Sequence, residues 1–131
     1  MDLFRKDSAG ENAPTKTEMD VLKILWECGP STVRFVHDKL NEQREVAVYT
    51  STLKLMQLMK EKGMLDRDES HMKHVYSAAV KEDQVKGSLL GKFVENIYNG
   101  SPSELMVALL GNDKTSAEEL KKIKDLLKDI E

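Results

Sequence analysis

Thr50, Ser51 and Lys54 are the side chains of this 131-residue chain that are best suited to contact a nucleic acid. They lie near the start of a segment with helical periodicity, and hydroxyl and ammonium groups there can reach base edges and phosphates in a major groove. Residues 46–64 hold three lysines and one glutamate, so the segment is locally positive. The pattern predicts a DNA-reading helix. The alternative is an ordinary surface helix whose hydroxyls and lysines are only solvated.

A second basic group follows at residues 66–77, where the period changes from 3.6 toward 2. Strands at Met64–Arg67 and His74–Ser77 with a polar tip between them predict a β-hairpin, or wing. Arg67 and Lys73 are its candidate phosphate contacts, because basic groups on a wing position a protein along the DNA backbone. Three acidic residues lie beside them, so a self-neutralising solvated hairpin is the competing interpretation.

Catalysis and metal binding are not expected. The chain has three histidines and one cysteine, Cys28, with no Cys-x-x-Cys spacing, whereas zinc or copper needs three or four converging ligands. No glycine-rich phosphate loop, nucleophile elbow or His-Glu-x-x-His motif occurs. We therefore predict a protein that is not an enzyme and has no cofactor. The methionines, Met56 and Met59 among them, are interpreted as flexible core residues.

Three helices must position the candidate reading surface. The first is predicted to begin at Thr15 with a capping box to Glu18 and to stop at Gly29-Pro30. The second starts at Ser31 or Thr32 and ends before a polar turn at residues 41–45. The third covers about Val48 to Lys62 and is closed by Gly63. Followed by the hairpin, these elements predict a winged helix-turn-helix domain over residues 15–80, after a mobile tail at residues 1–14.

The last third, residues 81–131, has the pattern of a helical dimerisation region. Three segments with helical apolar stripes are separated by Asn99–Pro102 and Gly111-Asn112. About 50 residues cannot bury so many apolar side chains among themselves, and a second copy related by a two-fold axis commonly covers such faces. Folding back onto the winged helix is the alternative. The predicted dimer interface comprises Leu89, Phe93, Ile97, Leu105, Leu109, Leu120, Ile123 and Leu127.

The composition limits the kind of ligand and the cellular compartment that we expect for this chain. Twenty Lys and Arg against 23 Asp and Glu give a net charge of −3, which is unusual for a nucleic-acid binder. The alternative function that this charge favours is a winged helix that binds protein. Aromatic residues make up 5%, which argues against a protein that stacks single-stranded bases. No apolar run reaches about 18 residues, and the N-terminus lacks a secretory pattern. With a single cysteine, these features predict a mainly α protein of the reducing cytoplasm.

The chain also resembles a known family, the penicillinase-repressor (BlaI/MecI-type) regulators of bacterial transcription. The resemblance rests on the first helix, the reading helix and the wing. It implies a homodimeric repressor whose winged helices each bind half of a palindromic operator, with Thr50 and Ser51 at positions that face DNA and Lys54 where the family often has Thr. The matching stretches are Thr15–Trp26, Val48–Leu53, Glu61–Leu65, Arg67-Asp68 and His74–Ala78.

The same resemblance implies a mode of induction, and the cysteine content disfavours another. Repressors of this family near β-lactamase genes are cleaved at an Asn-Phe bond in the short apolar helix, after signalling by a membrane sensor with a metalloprotease domain. The aligned pair here is Ala108-Leu109, which differs in chemistry and makes these residues the candidate cleavage region. The cysteine pairs of the copper-responsive branch are absent, so that branch is disfavoured.

Overall fold

A computed structural model describes residues 13–43 and 48–130 and shows a mainly helical chain with one small antiparallel sheet. The predicted tail lies, up to residue 12, outside the described residues. The winged-helix architecture with a following helical region is confirmed. Its elements are α1 (Lys16–Cys28), β1 (Ser31–Thr32), α2 (Val33–Gln43), α3 (Tyr49–Glu61), β2 (Leu65–Asp68), β3 (Val75–Ala78), α4 (Glu82–Ile97), α5 (Pro102–Leu110) and α6 (Ala117–Ile130).

Helix α1 begins and ends where its sequence predicts. The Glu18 amide donates to Thr15 Oγ1 at 3.2 Å, and the Thr15 amide donates to Glu18 Oε1 at 2.9 Å, which completes a capping box. Gly29 follows the helix with φ of 81°, a conformation that costs a residue without a Cβ little. The apolar stripe of α1 enters the core, and the indole of Trp26 donates to the Val80 carbonyl at 3.0 Å.

The buried carboxylate of Glu18 has a second role, because it also connects α1 to the end of α3. Lys62 Nζ lies 2.9 Å from Glu18 Oε2, and the Glu18 side chain is only 4% exposed. A carboxylate removed from water in this way is tolerated because a backbone N–H and an ammonium group both donate to it. The Lys62 side chain is 43% exposed, so its own charge stays partly hydrated.

Replacing Glu18 with Gln is therefore expected to lower the free energy of unfolding by about 1–2 kcal/mol, since the amide keeps the cap acceptor but loses the ion pair. Urea denaturation followed by circular dichroism measures the change. The matched control is Glu61→Gln on the exposed end of α3, which should stay within about 0.5 kcal/mol of the unmodified chain. Equal effects of the two substitutions would contradict the assigned role.

The second helix does not start at Ser31 or Thr32 as predicted, because a short strand occupies these two positions. Ser31 and Thr32 form β1, which pairs antiparallel with β3 opposite Tyr76 and Val75, and α2 begins only at Val33. The Thr32 hydroxyl accepts from the Phe35 amide at 3.2 Å, so the same residue serves the strand and the helix start. Helix α2 also continues to Gln43 through residues expected to form a turn, because polar residues on an exposed face do not end a helix.

The wing has the predicted topology with strands one residue later than expected. Strand β3 lies between β1 and β2, and Arg67 on β2 is opposite Tyr76 on β3. Tyr76 is buried and anchors the sheet to the helices. Met56 and Met59 are fully buried, which confirms their assignment to the core. The core of the winged helix consists of Val21, Leu22, Ile24, Leu25, Val33, Val36, Leu40, Met56, Met59, Met64, Leu65 and Tyr76.

The chain divides into two compact units, and the division falls inside α4, between Ser88 and Leu89. In the second unit, α5 begins at Pro102 with Ser101 as its cap, because proline is favoured at the first helical position. The Ser116 hydroxyl accepts from the Glu119 amide at 3.1 Å at the start of α6, as its sequence predicts. Among described residues of this unit, Val94 is the one buried side chain.

No described helix is long and apolar enough to cross a membrane.

Candidate nucleic-acid interface

Helix α3 presents the three predicted reading residues to solvent. Its inner face buries Thr52, Met56 and Met59, which leaves the opposite face of the helix outside the core. Thr50, Ser51 and Lys54 are all exposed on that outer face, within the first two turns. This is the part of a recognition helix that reaches base edges in a major groove.

The start of α3 is electrostatically suited to an anion. Val48 occupies the N-cap position and provides no side-chain hydrogen bond, and the first turn contains no acidic residue. The amide dipoles of the helix place partial positive charge at this end, which attracts phosphate when no carboxylate neutralises it. The positive end of α3 thus lies beside the exposed hydroxyls of Thr50 and Ser51.

A groove of about 450 Å³ opens between the start of α2, the start of α3 and the wing. Among the residues that the structure describes, its lining includes the basic side chains Arg34, Lys73 and His74 and no carboxylate. Such a surface favours an anionic ligand and disfavours a cationic one. The lining residues are Thr32, Val33, Arg34, Tyr49, Leu53, Met72, Lys73, His74 and Tyr76.

Arg34 is a candidate contact residue that sequence reasoning missed. Its guanidinium carbon lies 4.4 Å from the centroid of the Tyr49 ring, and Nη1 lies 3.9 Å from Asp38 Oδ1. Stacking on Tyr49 holds the Arg34 guanidinium in the lining of the groove. A signal was available in the sequence, since Arg34 is in the first turn of the helix that precedes the recognition helix, where such helices approach the DNA backbone.

The two predicted wing contacts have different surroundings. Lys73 lines the groove, whereas Arg67 is engaged within the wing: its Nη2 lies 2.6 Å from Glu69 Oε2 and its Nη1 donates to the Tyr76 hydroxyl at 3.4 Å. The hydrogen bonds to Tyr76 and Glu69 raise the pKa of Arg67, and Arg67 in turn lowers the pKa of Glu69. The carboxylate of Glu69 thus offsets much of the charge that Arg67 could offer to a phosphate.

The histidines do not converge. His71 and His74 are exposed on the wing, while His37 is buried between α2 and α3. Across the part of the chain that the structure describes, no three His, Cys, Asp or Glu side chains are grouped so as to hold a metal ion.

The penicillinase repressor family model matches residues 14–129, which covers the winged helix and the helical region that follows it. The chain belongs to the penicillinase repressor family. Its relatives in this family are named as repressors and as methicillin-resistance regulators, so membership supports a role in transcriptional repression.

Individual relatives match over nearly their whole length. The penicillinase repressor of Staphylococcus aureus is 26% identical over 113 residues, which is 86% of this chain and 89% of the relative. The penicillinase repressor of Bacillus licheniformis is 24% identical over 86% of this chain and 87% of the relative. The methicillin resistance regulatory protein MecI of Mammaliicoccus sciuri is 21% identical over 86% and 91%, respectively.

Proposed function

We propose that the chain is a homodimeric transcriptional repressor that binds a palindromic operator in double-stranded DNA. The observation that carries this proposal is the exposed outer face of α3, where Thr50, Ser51 and Lys54 lie beside a groove lined by Arg34 and Lys73. The hydroxyls and the ammonium group read base edges in the major groove. Arg34 and Lys73 bind phosphates and set the register, and Arg67 contributes less because Glu69 holds it.

The helices of residues 89–130 supply the apolar surface that a second protomer covers. None of the eight predicted interface residues is buried within one chain, and Val107 and Leu126 add further exposed apolar area. An apolar surface of this kind marks an interaction site, and a symmetric dimer covers it with the same surface of another copy. The two protomers contribute Leu89, Phe93, Ile97, Leu105, Leu109, Leu120, Ile123 and Leu127.

Dimerisation compensates for the acidic composition. A net charge of −3 and few phosphate-facing cations limit the affinity of one winged helix for DNA. Two linked recognition helices bind half-sites about one helical turn apart, and the link raises the effective concentration of the second helix. The affinity for the operator then depends more on dimerisation than on the salt concentration.

Derepression by proteolysis fits the same design. Helix α5 has no buried side chain among its residues, and it contains the Ala108-Leu109 bond. Cleavage there would separate α6 from the rest of the chain and remove its contribution to the dimer. A membrane sensor protease is the proposed partner, and an uncleaved chain under full derepression would reject this route.

The rival function is a winged helix that binds another protein and no specific DNA, which the acidic composition favours. A mobility-shift titration with the palindrome upstream of the chain's own gene separates the two. Repression requires binding to this duplex that an unrelated duplex of equal length does not compete away. Equal competition by both duplexes would support the rival.

Arg34→Ala is expected to weaken binding to operator and unrelated DNA by a similar factor and to reduce the salt dependence by about one counterion. The reason is that a phosphate contact carries no sequence information. Fluorescence anisotropy titrations over a range of salt concentrations measure the slope. Arg34→Lys, which keeps the charge, should keep the slope; an unchanged slope in Arg34→Ala would remove Arg34 from the interface.

A further inference from the structure

A buried hydrogen bond joins α2 to α3 directly behind the proposed reading face. His37 Nδ1 lies 2.8 Å from Thr52 Oγ1, and the two residues are 7% and 5% exposed. Thr52 lies two positions after Thr50 and one after Ser51. On a helix this spacing places its side chain on the core side, while theirs are exposed to solvent. A polar pair in this apolar core is expensive unless both groups are satisfied.

Both ring nitrogens of His37 have a polar partner. Nδ1 shares a hydrogen bond with the Thr52 hydroxyl, and Nε2 lies 3.1 Å from Asn41 Nδ2. The Tyr49 ring meets the imidazole edge to face, with centroids 5.7 Å apart. Three residues therefore hold His37 in one orientation.

The remaining contacts of the inner face of α3 are of a different kind. Met56 and Met59 fill the core with flexible apolar side chains, whose packing has no preferred direction. A hydrogen bond depends steeply on distance and angle, so the one to Thr52 adds a directional restraint on the rotation of α3 to the restraint that close packing provides. Rotation about the axis of α3 would move the Thr50 and Ser51 hydroxyls away from the bases that they read.

We infer that His37 and Thr52 are positioning residues that fix the rotation of α3 and thereby the sequence specificity of DNA binding. The inference rests on the proposed function. It concerns discrimination between sequences, because phosphate contacts tolerate a small rotation better than base contacts do. Neither residue touches DNA in this role.

The test compares Thr52→Val, which removes the hydroxyl with little change of shape, with Thr52→Ser, which retains it. In full-length chains, Thr52→Val should bind the operator palindrome about tenfold more weakly and unrelated duplex within about twofold of normal. Thr52→Ser should stay close to the unmodified chain. His37→Asn places an amide near the position of Nδ1, which can share a hydrogen bond with Thr52, and should retain more discrimination than His37→Leu.

A second measurement needs no DNA. Amide hydrogen exchange of residues 50–53 in the free chain should be faster in Thr52→Val than in Thr52→Ser, with circular dichroism showing both folded. Equal exchange in the two variants would overturn the inference, as would an equal loss of operator and unrelated binding in Thr52→Val. If the unmodified chain fails to discriminate between duplexes, the proposed function fails, while exchange in the free chain still decides whether this hydrogen bond holds α3.

Discussion

Replacing Ile123 with Asp should convert the proposed dimer into a monomer at micromolar concentration and lower the affinity for a palindromic operator by about 100-fold. Ile123 lies in line with Leu120 and Leu127 on the apolar stripe of α6. A carboxylate placed in an apolar interface loses its hydration without gaining a partner, so the protomers separate. The winged helix keeps its fold, since its core lies wholly within residues before Ser88.

Sedimentation velocity measures the oligomeric state, and an anisotropy titration measures operator binding on the same samples. Lys121→Asp is the matched control, because Lys121 is exposed on the same helix and its replacement changes the charge by more. If the added negative charge alone weakened operator binding, Lys121→Asp would lower the affinity more than Ile123→Asp does. An Ile123→Asp chain that sediments as a dimer would refute the placement of the interface on α6.

The double substitution Thr50→Ala and Ser51→Ala should reduce operator affinity by about 10- to 100-fold while the dimer persists. Both hydroxyls are exposed on α3, and alanine favours the helical state, so the loss comes from missing contacts to bases. Binding to an unrelated duplex should change little, because the cations that hold the phosphates remain in place.

The matched control exchanges the two residues, Thr50→Ser with Ser51→Thr, and keeps both hydroxyl groups on the same face. It should lose much less affinity than the double alanine variant. Titrations of all three chains with the operator and the unrelated duplex provide the comparison. Full operator affinity in the double alanine variant would show that another face of the winged helix reads the sequence.

Local sequence signals predict the features of this chain that depend on neighbouring residues. The capping box at Thr15 and Glu18 and the stop at Gly29 each involve residues within four positions of one another, and both are confirmed. The outward direction of Thr50, Ser51 and Lys54 follows in the same way from the apolar period of α3.

Features that depend on distant partners could not be predicted in this way. Strand β1 has two residues and no period of its own, and it exists because Tyr76 and Val75 lie opposite it. The hydrogen bond of Arg67 to Tyr76 and the stacking of Arg34 on Tyr49 depend on strand pairing and on helix packing. His37 is one residue along a helix from the apolar Val36, and its burial is acceptable because Thr52 and Asn41 satisfy its ring nitrogens.

In the proposed repressor, two chains joined by their C-terminal helices read the two halves of one operator. Sedimentation equilibrium of the unmodified chain with a duplex carrying the palindrome measures how many chains bind. We expect a complex of two chains per duplex at low salt, formed from a dimer that already exists without DNA. A chain that stays monomeric, and does not associate with the duplex, would contradict the account.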